Sequence, residues 1–200
     1  MGDLALLFKK VELVLTKEAN VSIWMDFLRV KHPETHRHSV RVAILGEELA
    51  ASMPKDKNNL VRGCFLHDIG KSFIPVEILD KQEPLTTEEW DLLKLHPILG
   101  ADLAGGFPGI DTGVTDVIRY HHERWNGKGY PYNLQGENIP FLARISAVID
   151  AFDSMISYRT YRERSTIEWA KNELRLCSGT QFDSFVVTQF LNLTDRQLTL

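Results

Sequence analysis

The sequence predicts an all-α fold. Apolar residues recur at helical spacing along nearly the whole chain, alternating β patterns are nearly absent, and helix-start signals precede several of the apolar runs. The 200 residues, 44% hydrophobic and 25% charged, suit one globular domain with or without a small appendage. Such a chain buries a large core without help from a disulfide or structural zinc.

The elements follow in order. Leu4, Leu7, Val11, Val14 and Leu15 mark one helix face, and Ile23, Trp24, Phe27 and Val30 mark another. Residues 1–31 are therefore expected to form a short N-terminal helical appendage to a domain over 32–200. Pro33 opens a helix carrying Val40, Ile44, Leu45 and Leu49, because proline suits a first turn. Further helices are predicted near 57–68, 87–104, 111–121, 140–157, 166–177 and 183–192. Thr86-Thr87-Glu88-Glu89 caps the 87–104 helix, with acids in the turn where the macrodipole favours them. The long irregular stretch is 123–139, which holds Gly127, Gly129, Pro131 and Gly136. A loop of that length inside a compact helical domain is usually functional.

Composition excludes some function classes. A net charge of −4 supplies no general basic field for a nucleic-acid polymer. Cys64 and Cys177 form no CxxC spacing, and two thiols fit a reducing cytoplasm. The opening MGDLALLFKK is too short an apolar run for a signal peptide and carries Asp3 where positive charge belongs. No stretch approaches the length of a membrane span. A cytoplasmic location is expected.

Five of the seven histidines stand in one ordered series with three carboxylates: Glu34, His38, His67-Asp68, His96, His121-His122 and Asp150. Glu34 and His38, four apart, share a helix face, although such a pair alone reads better as a surface contact. His67-Asp68 ends an apolar helix, where an ionised aspartate is costly unless paired or metal-bound. Its two oxygens can also bridge two ions. Gly70-Lys71-Ser72 is no phosphate loop, because position 65 is Phe where that motif needs Gly. His96 alone reads as structural. His121 and His122 point roughly 100° apart on a helix and can serve different ions. Asp150 and Asp153 lie one turn apart on an apolar helix and need partners unless they face solvent. Jointly the series predicts a metallohydrolase site of two or three divalent ions with nitrogen and oxygen donors, which suits iron, manganese, zinc or nickel. Lys71, Arg159 and Arg162 are candidates to hold phosphate oxygens. Tyr130 either stacks on or hydrogen-bonds a base, or anchors the loop.

The surroundings of these residues resemble the HD-GYP family, a branch of the HD-domain metal-dependent phosphohydrolases. The matching segments are His38-Ser-Val-Arg-Val, His67-Asp-Ile-Gly-Lys with Ile74-Pro75, Leu85-Thr86-x-Glu88-Glu89 and His96-Pro97-x-x-Gly100. Further on come His121-His-Glu-Arg-Trp-Asn-Gly-Lys-Gly-Tyr-Pro131, Ala143-Arg-Ile through Asp150-x-x-Asp153 to Arg159-x-Tyr161-Arg162, and Phe182-Asp183. The HHE…GYP block is highly specific, whereas a lone HD pair is not. The resemblance implies an all-α HD-domain bundle with a long GYP loop that hydrolyses cyclic di-GMP to linear pGpG, and in some members to GMP. It implies metal ligation by His38, His67, Asp68, His96, His121, His122 and Asp150, with Asp68 bridging, and by Glu34 where a third ion is held, so the presence of Glu34 leans towards a trinuclear site. Asp68 and Lys71 are then catalytic, and Lys71, Tyr130, Asp153, Arg159 and Arg162 contact substrate. The alternatives are another cyclic dinucleotide or nucleotide as substrate, or a non-catalytic sensor or docking module; a diguanylate cyclase or a second copy is the expected protein partner.

Two departures stand out. Lys81-Gln82-Glu83-Pro84 replaces the family's usual Lys-Pro-Gly, and Asp153-Ser154-Met155 replaces Asp-Ala. Only about thirty residues precede the core, where many relatives carry a receiver or sensory domain.

Overall fold

A computed structural model describes residues 19–53, 56–157 and 166–199. The Leu4–Leu15 stripe, Arg159 and Arg162 lie outside the described residues. The elements, in chain order, are α1 (Ala19–Lys31), α2 (Pro33–Ala50), α3 (Lys57–Leu66), a 3-10 turn (Ile69–Phe73), α4 (Val76–Leu79), α5 (Thr87–Leu93), α6 (His96–Gly105), α7 (Thr112–Tyr120), a second 3-10 turn (Gly136–Asn138), α8 (Phe141–Ile156), α9 (Ile167–Leu176), α10 (Ser184–Leu191) and α11 (Asp195–Leu198). No strand occurs among the described residues, and no helix among them is long and apolar enough to cross a membrane.

α8 is the axis of the bundle. It packs against α2, α3, α7, α9 and α10, and buries Ala143, Ile145, Val148, Ile149 and Phe152. Side-chain caps set several starts: Asp111 accepts from the Gly113 and Val114 amides, Thr166 from the Trp169 amide, and Asp183 from the Phe185 amide. Thr86 and Glu89 form a reciprocal capping box at α5.

Two expectations are corrected. The predicted 87–104 helix is two helices, α5 and α6, broken at Lys94–Leu95. Pro97 has no amide hydrogen to give the Leu93 carbonyl, so it stands where a first turn tolerates it. In α1 the deeply buried stripe is Val21, Met25 and Leu28, while Ile23, Phe27 and Val30 are exposed. This helix is apolar on both faces, so spacing alone cannot say which one meets α2. Lys31 fixes the choice at its end, donating to the Ser72 and Ile74 carbonyls at 2.7 and 2.6 Å.

Candidate metal centre

Three helix ends and two helix interiors bring the histidine series together. His67 follows the last turn of α3, His96 opens α6, His121 and His122 follow α7, and His38 and Asp150 stand within α2 and α8. One group is Asp68, His96, His121 and His122; the other is His38, His67 and Asp150. Within each, the ligand atoms lie within 4.8 Å of one another.

Asp68 stands between the groups. Its Oδ1 is 3.3 Å from His96 Nε2, and its Oδ2 is 3.4 Å from His67 Nε2 and 4.0 Å from His38 Nε2. His96 and His121 face each other through Nε2 at 3.4 Å, and His38 Nε2 is 2.9 Å from Asp150 Oδ1.

The imidazoles are aimed by their other nitrogens. His67, His96 and His121 place Nδ1 on the carbonyls of Cys64, Leu93 and Ile118, each three residues back, at 2.7, 2.8 and 2.8 Å. A carbonyl only accepts, so Nδ1 carries the hydrogen and Nε2 is the free lone pair. His38 uses Asp153 Oδ2 for the same purpose at 2.7 Å.

Two glycines make the close packing possible. A Cβ on Gly70 would sit 2.0 Å from the His96 carbonyl oxygen and 2.7 Å from the Gly100 amide nitrogen. That contact lets the turn after Asp68 lie directly on the start of α6. A Cβ on Gly129 would meet the backbone of Arg124, Glu123 and His122 at 2.3 to 2.6 Å. The loop therefore folds back onto its own origin, where the Tyr130 amide reaches the His122 carbonyl and the Tyr130 ring stacks on His122 at 4.7 Å. Glu123 pins the return, accepting from the Tyr132 amide at 2.6 Å and the Leu134 amide at 3.0 Å. Trp125 and Asn126 donate their amides to the Gln181 and Thr180 carbonyls, which draws the Phe182-Asp183 segment to the loop.

Charge in the site is uneven. Burial pushes His96 down, holds His121 well below the ordinary imidazole range and takes His122 to about 3; nearby imidazoles reinforce the last two. Burial would also lower His38, but its bonds to Asp150 and Asp153 outweigh that and raise it to about 9. Burial works against ionising Asp68 and Asp150, yet Lys71 and His67 for the first, and His38 for the second, hold both well below the carboxylate range. The result is neutral imidazoles at His96, His121 and His122 beside ionised carboxylates, while His38 keeps a proton that an incoming ion would displace.

The residues fit a metal on an independent ground. His67 Nε2 and Asp68 Oδ1 are buried without a hydrogen-bond partner, and their contacts at 3.3 to 3.4 Å lack hydrogen-bond geometry. Buried polar atoms rarely go unsatisfied. Five imidazoles and two carboxylates converging on them suit a binuclear site.

Two cavities reach these groups. One, of about 710 Å³, is lined by His121, His122 and Asp150 together with Trp90, Arg124 and Tyr130. The other, of about 520 Å³, is lined by Glu34, His38, Asp68 and Lys71, and by the departing segment Lys81-Gln82-Glu83-Pro84.

Residues 22–186 match the HD domain. The chain belongs to the HD-domain family. This HD domain is 37% identical over 171 residues to a protein named cyclic di-GMP phosphodiesterase from Thermotoga maritima, covering 83% of the chain and 46% of that protein. It is 29% identical over 208 residues to 3'3'-cGAMP-specific phosphodiesterase 2 of Vibrio cholerae, covering 100% of the chain and 40% of that protein. The HDG"Y"P protein of Bdellovibrio bacteriovorus shares its fold with a TM-score of 0.64 at 25% identity, over 78% of this chain and 50% of that one. The HHE…GYP block and these relatives place the chain in the HD-GYP branch. It spans less than half the length of the two relatives.

Within this HD domain, seven of the eight residues expected to ligate metal converge in the two groups. Glu34 stands apart, half-exposed and ion-paired with Arg37, although it lines the smaller cavity. Lys71 lines that cavity too, with Nζ 2.7 Å from Asp68 Oδ2. Tyr130 lines the larger cavity, and burial pushes its phenol up, so it stays a donor. Asp153, expected at the substrate, lies behind His38: fully buried, it takes Arg41 at 2.8 and 2.9 Å and lines neither cavity. Burial opposes its charge, but His38 and Arg41 lower its pKa. Sequence reasoning missed Arg41, although it stands one turn from His38 on the same helix face. It also missed Trp90, Arg124 and Gln181, whose cavity positions come from tertiary contacts rather than local spacing.

Proposed function

We propose that the chain is a metal-dependent phosphodiesterase that hydrolyses cyclic di-GMP to linear pGpG, with further cleavage to GMP as a second step. The observation that carries hydrolysis is the Asp68 carboxylate, which turns one oxygen to each imidazole group. His38, His67 and Asp150 would hold one ion, His96, His121 and His122 the other, and Asp68 would be shared. Ions there supply Lewis acidity at phosphoryl oxygens and activation of water.

The remaining roles belong to the protein's own groups. Lys71 keeps a cation at the mouth of the smaller cavity, where a phosphate oxygen approaching Asp68 meets it. Tyr130, held on His122, offers a ring face and a hydroxyl in the larger cavity. Cavities on both sides of the metal groups suit a substrate with two nucleoside arms about a phosphodiester.

The ion count this geometry supports is two, with iron or manganese favoured over zinc or nickel. Anaerobic purification with elemental analysis should find two ions per chain. Three ions, falling to two in Glu34→Ala, would overturn that count. Chromatography of products from cyclic di-GMP tests the activity, and Asp68→Ala should abolish turnover; full activity in that variant with metal content measured sinks the reading. The Vibrio cholerae relative that covers the whole chain motivates a second substrate, 3'3'-cGAMP, and a panel of both dinucleotides ranks them by kcat/KM.

A further inference from the structure

The larger cavity holds a cation whose charge no neighbour answers. Its lining includes three carboxylates, and each is engaged. Asp91 pairs with Lys94 at 2.7 Å, Glu123 takes the Tyr132 and Leu134 amides with its two oxygens, and Asp150 takes His38. Arg124 lines the same cavity, yet its guanidinium has no ion-pair or hydrogen-bond partner among the described residues. Its Nε is fully buried and unsatisfied. Arg144, the other arginine with a buried unsatisfied Nε, differs: its guanidinium pairs with Asp183 at 2.7 Å and lies over the Trp125 and Phe141 rings. Lys128, four residues on from Arg124, adds a second cation to the cavity rim.

The position of Arg124 is set by the loop. Its carbonyl accepts the Gly127 amide, and Gly129 packs against its backbone nitrogen, so the guanidinium hangs from a fixed base. A half-buried guanidinium with a buried, unpartnered Nε and no counter-charge is an anion site waiting for its anion, and its planar fork matches a phosphate.

We propose that Arg124, supported by Lys128, forms an anion subsite in the larger cavity that holds the second phosphate of a dinucleotide while the first lies at the metal groups. The inference rests on the cyclic-dinucleotide reading and adds to it a means of telling dinucleotides from esters with a single phosphate. Ring opening leaves the cleaved phosphate as the terminal 5′-phosphate of the linear product; for a second cleavage the remaining phosphodiester takes the metal groups, and the 5′-phosphate then falls to Arg124.

The test compares two linear probes, pGpG and GpG, which differ only in that 5′-phosphate. Calorimetric titration into Ca²⁺-loaded protein, chosen to bind without turnover, should give pGpG an affinity about tenfold above that of GpG, the fold-change expected of one charge-assisted hydrogen bond. Arg124→Gln should close the gap, and Arg124→Lys should keep part of it. Equal affinities in the unaltered protein overturn the proposal without any variant. A gap undiminished in Arg124→Gln, with melting temperature and metal content preserved, overturns it as well, because the 5′-phosphate is then held elsewhere. Turnover of cyclic dinucleotides is scored separately: its absence sinks the functional reading, while the pGpG–GpG gap still decides whether the subsite exists.

Discussion

His38 takes its aim from a chain of buried charge. Arg41 grips Asp153 with two nitrogens, Asp153 holds His38 Nδ1, and His38 Nε2 is thereby turned to Asp150 and Asp68. A carboxylate behind a ligating histidine fixes its tautomer and orientation, and losing it typically costs 10- to 100-fold in metal affinity, by order of magnitude. Asp153→Ala should therefore lower metal affinity by about that factor in a metal titration. It should also cost about 3 kcal/mol in urea unfolding, since Arg41 is left largely buried without its partner. A variant that binds metal as tightly as the unaltered chain would return Asp153 to the substrate role that sequence alone suggested.

At the scale of elements, the site depends on how closely two pieces of backbone meet. The turn after Asp68 touches the start of α6 through Gly70 and Gly100, so any Cβ at position 70 must push Asp68 and His96 apart. Gly70→Ala is expected to destabilise the fold by about 3 kcal/mol, at the upper end of overpacking costs. It should also deplete bound metal; a melting curve and elemental analysis on one sample check both. The GYP loop depends on Glu123 in the same way. Glu123→Gln turns one of its two acceptors into a donor facing an amide, at a cost of about 1–3 kcal/mol. The Tyr132 and Leu134 amides should then exchange hydrogen faster while α8 is unchanged. What the sequence revealed of these elements follows from the range of the interactions. Caps such as Thr86 with Glu89, and helices such as α7 to α10, are decided by neighbours within four residues, and they were legible. The break before His96 was missed because the proline's effect on the Leu93 carbonyl was outweighed by continuous apolar spacing. The buried side of α1 was also missed, because two apolar stripes compete there and only packing against α2 and the 3-10 turn chooses between them.

At the scale of the molecule, the ligand series was legible because metal chemistry restricts residue types, whereas the cavity walls were not. Trp90, Arg124 and Gln181 come from three separate segments, and ordinary residues carry no such restriction. The bundle assembled around the two groups holds an electrostatic conflict: unpaired His67 Nε2 and Asp68 Oδ1, carboxylates at Asp68 and Asp150, and the His121 and His122 imidazoles kept neutral by burial, all inside the fold. Ions bound there would resolve that conflict in the folded state only, because the unfolded chain scatters the ligands. By mass action, free metal at a thousandfold above its dissociation constant stabilises the fold by about 4 kcal/mol per site. For a chain of this size that corresponds to roughly 10 °C in melting temperature. Stripping both ions with EDTA should lower the melting temperature by about twice that amount, and re-adding Mn²⁺ or Fe²⁺ under argon should restore it. In Asp68→Ala the metal-dependent part should shrink for both ions at once, because the shared carboxylate is gone. A melting temperature indifferent to EDTA, in protein shown by elemental analysis to have carried metal, would mean that the ions sit outside these two groups.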